Sequence, residues 1–226
     1  VGSDQLFQKK KFRQAQALAR HKAKRSPYET ILIVCEDSKS ARFYLEELKK
    51  EFRLNTANVI VVPSRGSAPI SVAEHAIALA KVTPGVDRVA CVFDRDEHES
   101  HDRAIDKLKN HKPKQNDKSK PKYQAITSTP CFEIWILLHF GYTTKPYSPS
   151  RNKSAAELVH DDVCKKLPSY TKKSVEWFSD LMPRLNSAIK HAKQLEEHNQ
   201  NTKSTNPATN MHELVEYLRG NDKCKV

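Results

Sequence analysis

The chain is poor in the features that mark several large protein classes. Its five cysteines, Cys35, Cys91, Cys131, Cys164 and Cys224, are scattered and form no C-x-x-C pair. A disulfide framework and a cysteine zinc site are therefore not expected, and reduced thiols in a cytoplasmic protein are. No apolar run approaches the ~18 residues needed to span a bilayer, and no charged-then-apolar leader is visible. Membrane partners are not expected. No G-x-x-x-x-G-K-[ST] occurs, so ATP binding through a P-loop is not expected either. Ser38 and Ser40 lack a plausible His-acid relay, which leaves serine-hydrolase chemistry without support. There is no internal repeat. Apolar content is lean, with a mean hydropathy of −0.71.

What the chain has in excess is positive charge, +12 over 226 residues. A polyanionic partner fits that balance, and nucleic acid is the commonest one. The charge is uneven. Residues 9–25 carry eight Lys or Arg and no acid, which reads as a basic arm (1–27) or a helix ordered by a partner. A second basic block runs from Lys107 to Lys122 and includes Lys112, Lys114 and Lys118. Either block alone reads equally well as a solubilising surface. Together, flanking a cluster of acids, they suggest contacts to a phosphate backbone.

Those acids close two apolar runs. Arg88-Val89-Ala90-Cys91-Val92-Phe93 ends in Asp94-Arg95-Asp96, and Thr30-Ile31-Leu32-Ile33-Val34-Cys35 ends in Glu36-Asp37. Short continuous apolar runs predict strands buried on both faces. In open α/β sheets, ligands bind at the carboxyl ends of the strands. If the two strands are parallel neighbours, Glu36, Asp94 and Asp96 meet at one edge. Their mutual repulsion calls for a counter-ion, and carboxylates with room for water suit Mg²⁺. The plainer alternative is that these acids cap helices or are solvated.

Further strands are predicted over 58–62 and 123–127, with helices over 39–53, 70–83 and 100–111. From residue 131 onward the periodicity is helical, over 131–140, 154–166, 174–198 (broken near Pro183) and 209–219. The alternation predicts an α/β fold with a mostly parallel sheet flanked by helices. It places an α/β core at 28–128, a helical C-terminal part at 129–220 packed on that core, and a tail at 221–226.

At this point the chain resembles known proteins. A short apolar strand ending in Glu, a helix, and an Asp-x-Asp at a later strand end are similar to the Toprim arrangement of topoisomerases, primases and overcoming-lysogenization-defect nucleases. Residues 28–219 more narrowly resemble the RloB family, a Toprim-like group of bacterial defence and restriction loci. The match is carried by Ile33-Val34-Cys35-Glu36, Val92-Phe93-Asp94-Arg95-Asp96, the run Ser128 to Phe140, and Asn206-Pro207-Ala208-Thr209 leading to Leu214-Val215.

The resemblance implies that Asp94 and Asp96 hold Mg²⁺ or Mn²⁺, and that Glu36 is a further ligand or a general acid/base. It implies a metal-dependent nuclease acting on DNA or RNA in antiphage defence, with a separately encoded ATPase as partner. Where family members often have Gly after the strand-end Glu, this chain has Asp37. The alternative function is a non-catalytic nucleic-acid-binding or assembly subunit. A phosphoacceptor receiver domain also gathers acids at strand ends, but the Asp-x-Asp pair and the basic charge speak against it.

The remaining candidates are individual residues. Glu133, near the start of an apolar helix, either favours the helix N-terminus, adds a fourth carboxylate for a second metal, or bridges to a basic residue. Lys39, Arg42 and Arg65 are candidate phosphate contacts, Arg65 because its turn opens on the same edge. Arg95 is expected to point away from its flanking aspartates. His98 and His101 are expected at the surface, and His139 in the core with its nitrogens satisfied. Asn206, Thr209 and His212 either close over the site from the helical part or belong to an ordinary helix start after Asn-Pro.

Overall fold

The computed structural model describes residues 29–36, 39–56, 58–95, 99–111, 121–150, 152–172 and 174–220. The basic arm, Asp37, the side chain of Lys39, Asp96, His98, Lys112, Lys114, Lys118 and the 221–226 tail lie outside the described residues.

Four parallel strands form the sheet: β1 (Thr30–Cys35), β2 (Val59–Pro63), β3 (Val86–Asp94) and β4 (Lys122–Thr129). A two-residue β5 (Ala208–Thr209) adds antiparallel to β4, giving the order β2-β1-β3-β4-β5. The chain is thus α/β with a mostly parallel sheet, as the alternation predicts. The apolar runs of β1 and β3 are continuous because both faces are covered. Ile31, Ile33, Cys35, Ala90 and Val92 enter one core, while Leu32, Val34, Val89, Cys91 and Phe93 enter the other.

The second core is closed by α2 (Pro69–Val82) and α3 (His101–Lys109) through Val72, Ala76, Ala80, Ala104 and Leu108. The first is closed by α1 (Lys39–Glu51) and the C-terminal helices. These are α4 (Glu133–Leu138), α5 (Ala155–Lys166), α6 (Phe178–Leu181), α7 (Leu185–Thr202) and α8 (Met211–Gly220). One buried cluster runs without a break from Ile31 through Tyr44, Trp135, Trp177 and Leu195 to Leu218. The helices beyond residue 128 therefore share their core with the sheet.

Three details differ from the periodicity reading. The helix expected over 174–198 is α6, a 3₁₀ turn (Met182–Arg184) and α7. Pro183 sits in the first positions of that turn, where its missing N–H costs nothing. The helix expected over 131–140 is α4 alone. Its N-terminal flank carries turn hydrogen bonds, Ile134 N–H to Cys131 O at 3.1 Å and Trp135 N–H to Phe132 O at 2.9 Å. Finally, the segment before α8 is strand rather than helix. Thr209 Oγ1 and Ser128 Oγ lie 2.9 Å apart across the β4–β5 pair.

Beyond β5 the edge of β4 is closed by a side chain. Asn210 Oδ1 accepts from Thr127 N–H at 2.6 Å, and Asn210 Nδ2 donates to Ala125 O at 3.1 Å. The carboxamide does what the next strand residues would do, and it blunts an otherwise open edge.

Candidate active site

Parallel pairing delivers the strand ends to one edge. Cys35 is in register with Pro63 on one side and Val92 on the other, and Asp94 with Ser128. The ladder continues one residue beyond β1, with Glu36 N–H donating to Val92 O at 2.8 Å. Glu36 then turns its side chain across the strand end, where Oε2 accepts the Asp94 backbone N–H at 3.0 Å. Glu36 and Asp94 are both half-buried. The structure thus brings these two predicted residues together, while Asp96 lies outside the described residues.

The flanks of the edge are basic. Arg65 is exposed in the turn after β2, a turn tied to β1 by Ser64 N–H donating to Cys35 O at 2.7 Å. Arg42 on α1 is half-buried, with its guanidinium 5.2 Å from the Phe43 ring centroid. Arg95 faces α3, 3.9 Å from Asp102. Asp94 instead interacts electrostatically with Cys131 and Lys172 on the other face.

Glu133 is 2 % exposed and bridges to a basic residue, one of the roles open to it in the sequence, within a wider network that the sequence does not show. Its Oε1 accepts from Ser40 Oγ at 3.2 Å and Tyr170 OH at 2.7 Å, and lies 3.1 Å from Lys172 Nζ. Tyr170 OH also lies 2.9 Å from Ser40 Oγ. Burial is the largest single influence on the Glu133 carboxyl and pushes its pKa upward. Lys172, with hydrogen bonds from Tyr170, Cys131 and Lys172 itself, outweighs it and holds the carboxyl below its ordinary value. Burial likewise works downward on Lys172, but Glu133, Cys131 and Asp94 together hold its ammonium above the usual value. Among the described residues, Glu36, Asp94 and Glu133 do not gather into a set of three ligand atoms within 4.8 Å.

Other candidates fall elsewhere. His101 is buried rather than at the surface, packed edge-on against Phe93 with centroids 5.6 Å apart. The apolar strand end above α3 offers its ring more contact than solvent does. His139 is a core residue as expected, but only one of its two nitrogens is satisfied among the described residues. Its Nδ1 lies 2.9 Å from Trp135 O, while Nε2 is buried with no partner among the described residues. Asn206 clamps the backbone of Tyr147, donating to its carbonyl at 2.6 Å and accepting from its N–H at 3.2 Å. Tyr170 and Lys172 lie in a loop with no periodicity to point at Glu133, and Ser40, on α1, shows no sign in the sequence of its distant partner.

This arrangement defines an α/β protein with carboxylates gathered at the C-terminal edge of a parallel sheet and cations around them. More narrowly, the chain belongs to the RloB-like protein family, whose family model matches residues 31–218. No curated protein and no solved structure matches it.

Proposed function

We propose that this RloB-like protein is a metal-dependent nuclease, an effector of bacterial antiphage defence that hydrolyses phosphodiester bonds in DNA or RNA. The observation that carries the reading is the meeting of Glu36 and Asp94, where the carboxylate of one accepts the backbone N–H of the other. An all-oxygen, half-buried donor set at a strand edge fits a hard divalent cation, Mg²⁺ or Mn²⁺. Glu36, Asp94 and Asp96 would hold it. Such a cation, when bound, neutralises phosphate oxygens and lowers the pKa of water for in-line attack.

The chain's own groups do the remaining work. Glu36 serves either as a further ligand or as the general base that takes a proton from attacking water. Lys172 is kept charged by Glu133 and has its side chain 47 % exposed. It offers a cation for a phosphate on the Asp94 side of the edge. Arg65 and Arg42 extend that positive rim for flanking phosphates. A separately encoded ATPase partner is part of the proposal, in keeping with the missing P-loop. Among the described residues no helix is long and apolar enough to cross a membrane.

The test is cleavage of single- and double-stranded DNA and of RNA, including tRNA, with Mn²⁺ or Mg²⁺. Wild type is compared with Asp94→Asn and Glu36→Gln, each also titrated with Mn²⁺ by calorimetry. Metal binding and cleavage present in wild type and lost in both variants support the reading. Equal cleavage by wild type and Asp94→Asn overturns it. Nucleic-acid binding with neither metal binding nor cleavage would favour the assembly-subunit alternative.

A further inference from the structure

A second group of metal-ligating side chains lies away from Glu36 and Asp94. Glu196 on α7 and His212 and Glu213 on α8 each place one ligand atom within 4.8 Å of the other two. His212 Nε2 and Glu196 Oε2 are 3.3 Å apart. Two donors bound tetrahedrally to zinc at 2.0–2.1 Å stand roughly 3.3 Å from each other, so this pair already has the required spacing. Gln124 on β4 donates to Glu213 Oε2 at 2.6 Å. That is how an outer partner fixes a ligating carboxylate.

The surroundings point to a ligand independently. Glu196 and Glu213 line a cleft of about 430 Å³, walled by α3, the ends of β3 and β4, β5 and α7. His101, 6 % exposed, lines the same cleft, and its Nε2 is buried without a partner among the described residues. Asn199 Oδ1, also lining the cleft, is buried and unpartnered in the same sense. His212 is 3 % exposed, and its Nδ1 too lacks a partner among the described residues. Buried polar atoms without partners are uncommon and call for an explanation. The two that line the cleft beside this His-Glu-Glu group, His101 Nε2 and Asn199 Oδ1, are explained together if the cleft holds a cation with its water.

We propose that His212, Glu196 and Glu213 form a transition-metal site, of the class that binds Zn²⁺, with a fourth position open to the cleft. One imidazole with two carboxylates favours zinc over Mg²⁺, which prefers oxygen donors and keeps its water shell. Three protein ligands with an open fourth position is the arrangement that leaves room for water or a substrate oxygen. Glu196, with its side chain 42 % exposed, supplies the way in from solvent. Arg95 and His101 lie along the same cleft, so an anionic group reaching the metal would meet a cation and an imidazole there. The inference stands whether or not Glu36 and Asp94 serve a nuclease.

The experiment is calorimetric titration of the chelator-treated full chain with Zn²⁺, in wild type, Glu196→Gln, His212→Gln and Asp94→Asn. Wild type should bind one equivalent that weakens about tenfold or more in Glu196→Gln and His212→Gln and persists in Asp94→Asn. Glu196→Gln changes a half-exposed side chain without altering its size, so it reports on the ligand even if His212→Gln fails to fold. Absence of zinc binding in wild type overturns the site and leaves an ordinary His–Glu contact. Zinc binding undiminished in Glu196→Gln also overturns it, assigning the ion to other histidines. Loss of Mn²⁺ binding in Asp94→Asn alone bears on the nuclease reading and not on this one.

Discussion

Lys172 and Glu133 form an ion pair in which one partner is almost wholly buried and the other is half exposed, their charged atoms 3.1 Å apart. The buried member is the one that depends on the contact, because a carboxylate cannot be left unpaired in a core. Lys172→Met should therefore destabilise the fold by about 1–3 kcal/mol in urea denaturation. Adding Glu133→Gln should recover part of that loss, since an amide tolerates the site without a cation. Full additivity of the two changes would show that the pair contributes nothing to stability.

The core should weaken in mild acid through His139. Burial, the dominant cause, pushes its imidazole from 6.5 down to about 4. In the unfolded chain it takes up its proton near the ordinary value, so the unfolded state binds more protons between the two. Stability is full above about pH 6.5 and falls as the pH drops toward 4. The expected loss from this group at pH 5 is about 2 kcal/mol. His139→Gln, which cannot titrate, should flatten the pH 5–7 dependence of urea midpoints. An unchanged slope would argue against it.

Asn210 carries a prediction about the sheet edge. Asn210→Ala removes both hydrogen bonds to β4 and should cost about 1–2 kcal/mol. It should also raise self-association, because the freed Ala125 and Thr127 groups become a template for strand addition. Light scattering as a function of concentration would register the difference.

At the start of α5, Ser154 and Glu157 cap each other reciprocally. Glu157 N–H donates to Ser154 Oγ at 3.2 Å, and Ser154 N–H donates to Glu157 Oε2 at 2.7 Å. Ser154→Ala should cost about 1 kcal/mol, and Ser154→Asp much less, read as shifts in thermal midpoint.

How far these features could be read beforehand follows from their range along the chain. β1 and β3 announce themselves because each run is long enough to be covered on both faces, and the acids then mark where coverage stops. The first face of α1, with Ala41, Leu45 and Leu48, is local periodicity and is found in the core. Of the Glu133 network only the chance of a basic partner is legible. Its contacts join residues 37 and 93 positions apart, to a loop with no repeating pattern and to helix α1. β5 is illegible for a related reason, since two residues carry no alternation and their pairing is decided by β4. His101 follows a charged turn and so reads as solvated, whereas Phe93 gives its ring an apolar neighbour.

The unbroken cluster from Ile31 to Leu218 has a consequence for the order of events during synthesis. Helix α8 is among the last described elements to leave the ribosome, yet Met211, Leu214, Val215 and Leu218 are in contact with the core that holds the first strand. Contacts between such distant stretches form late, because the intervening loop must close first. The strand-end acids can be translated early, but the body that holds them in place is completed only after residue 218 is made.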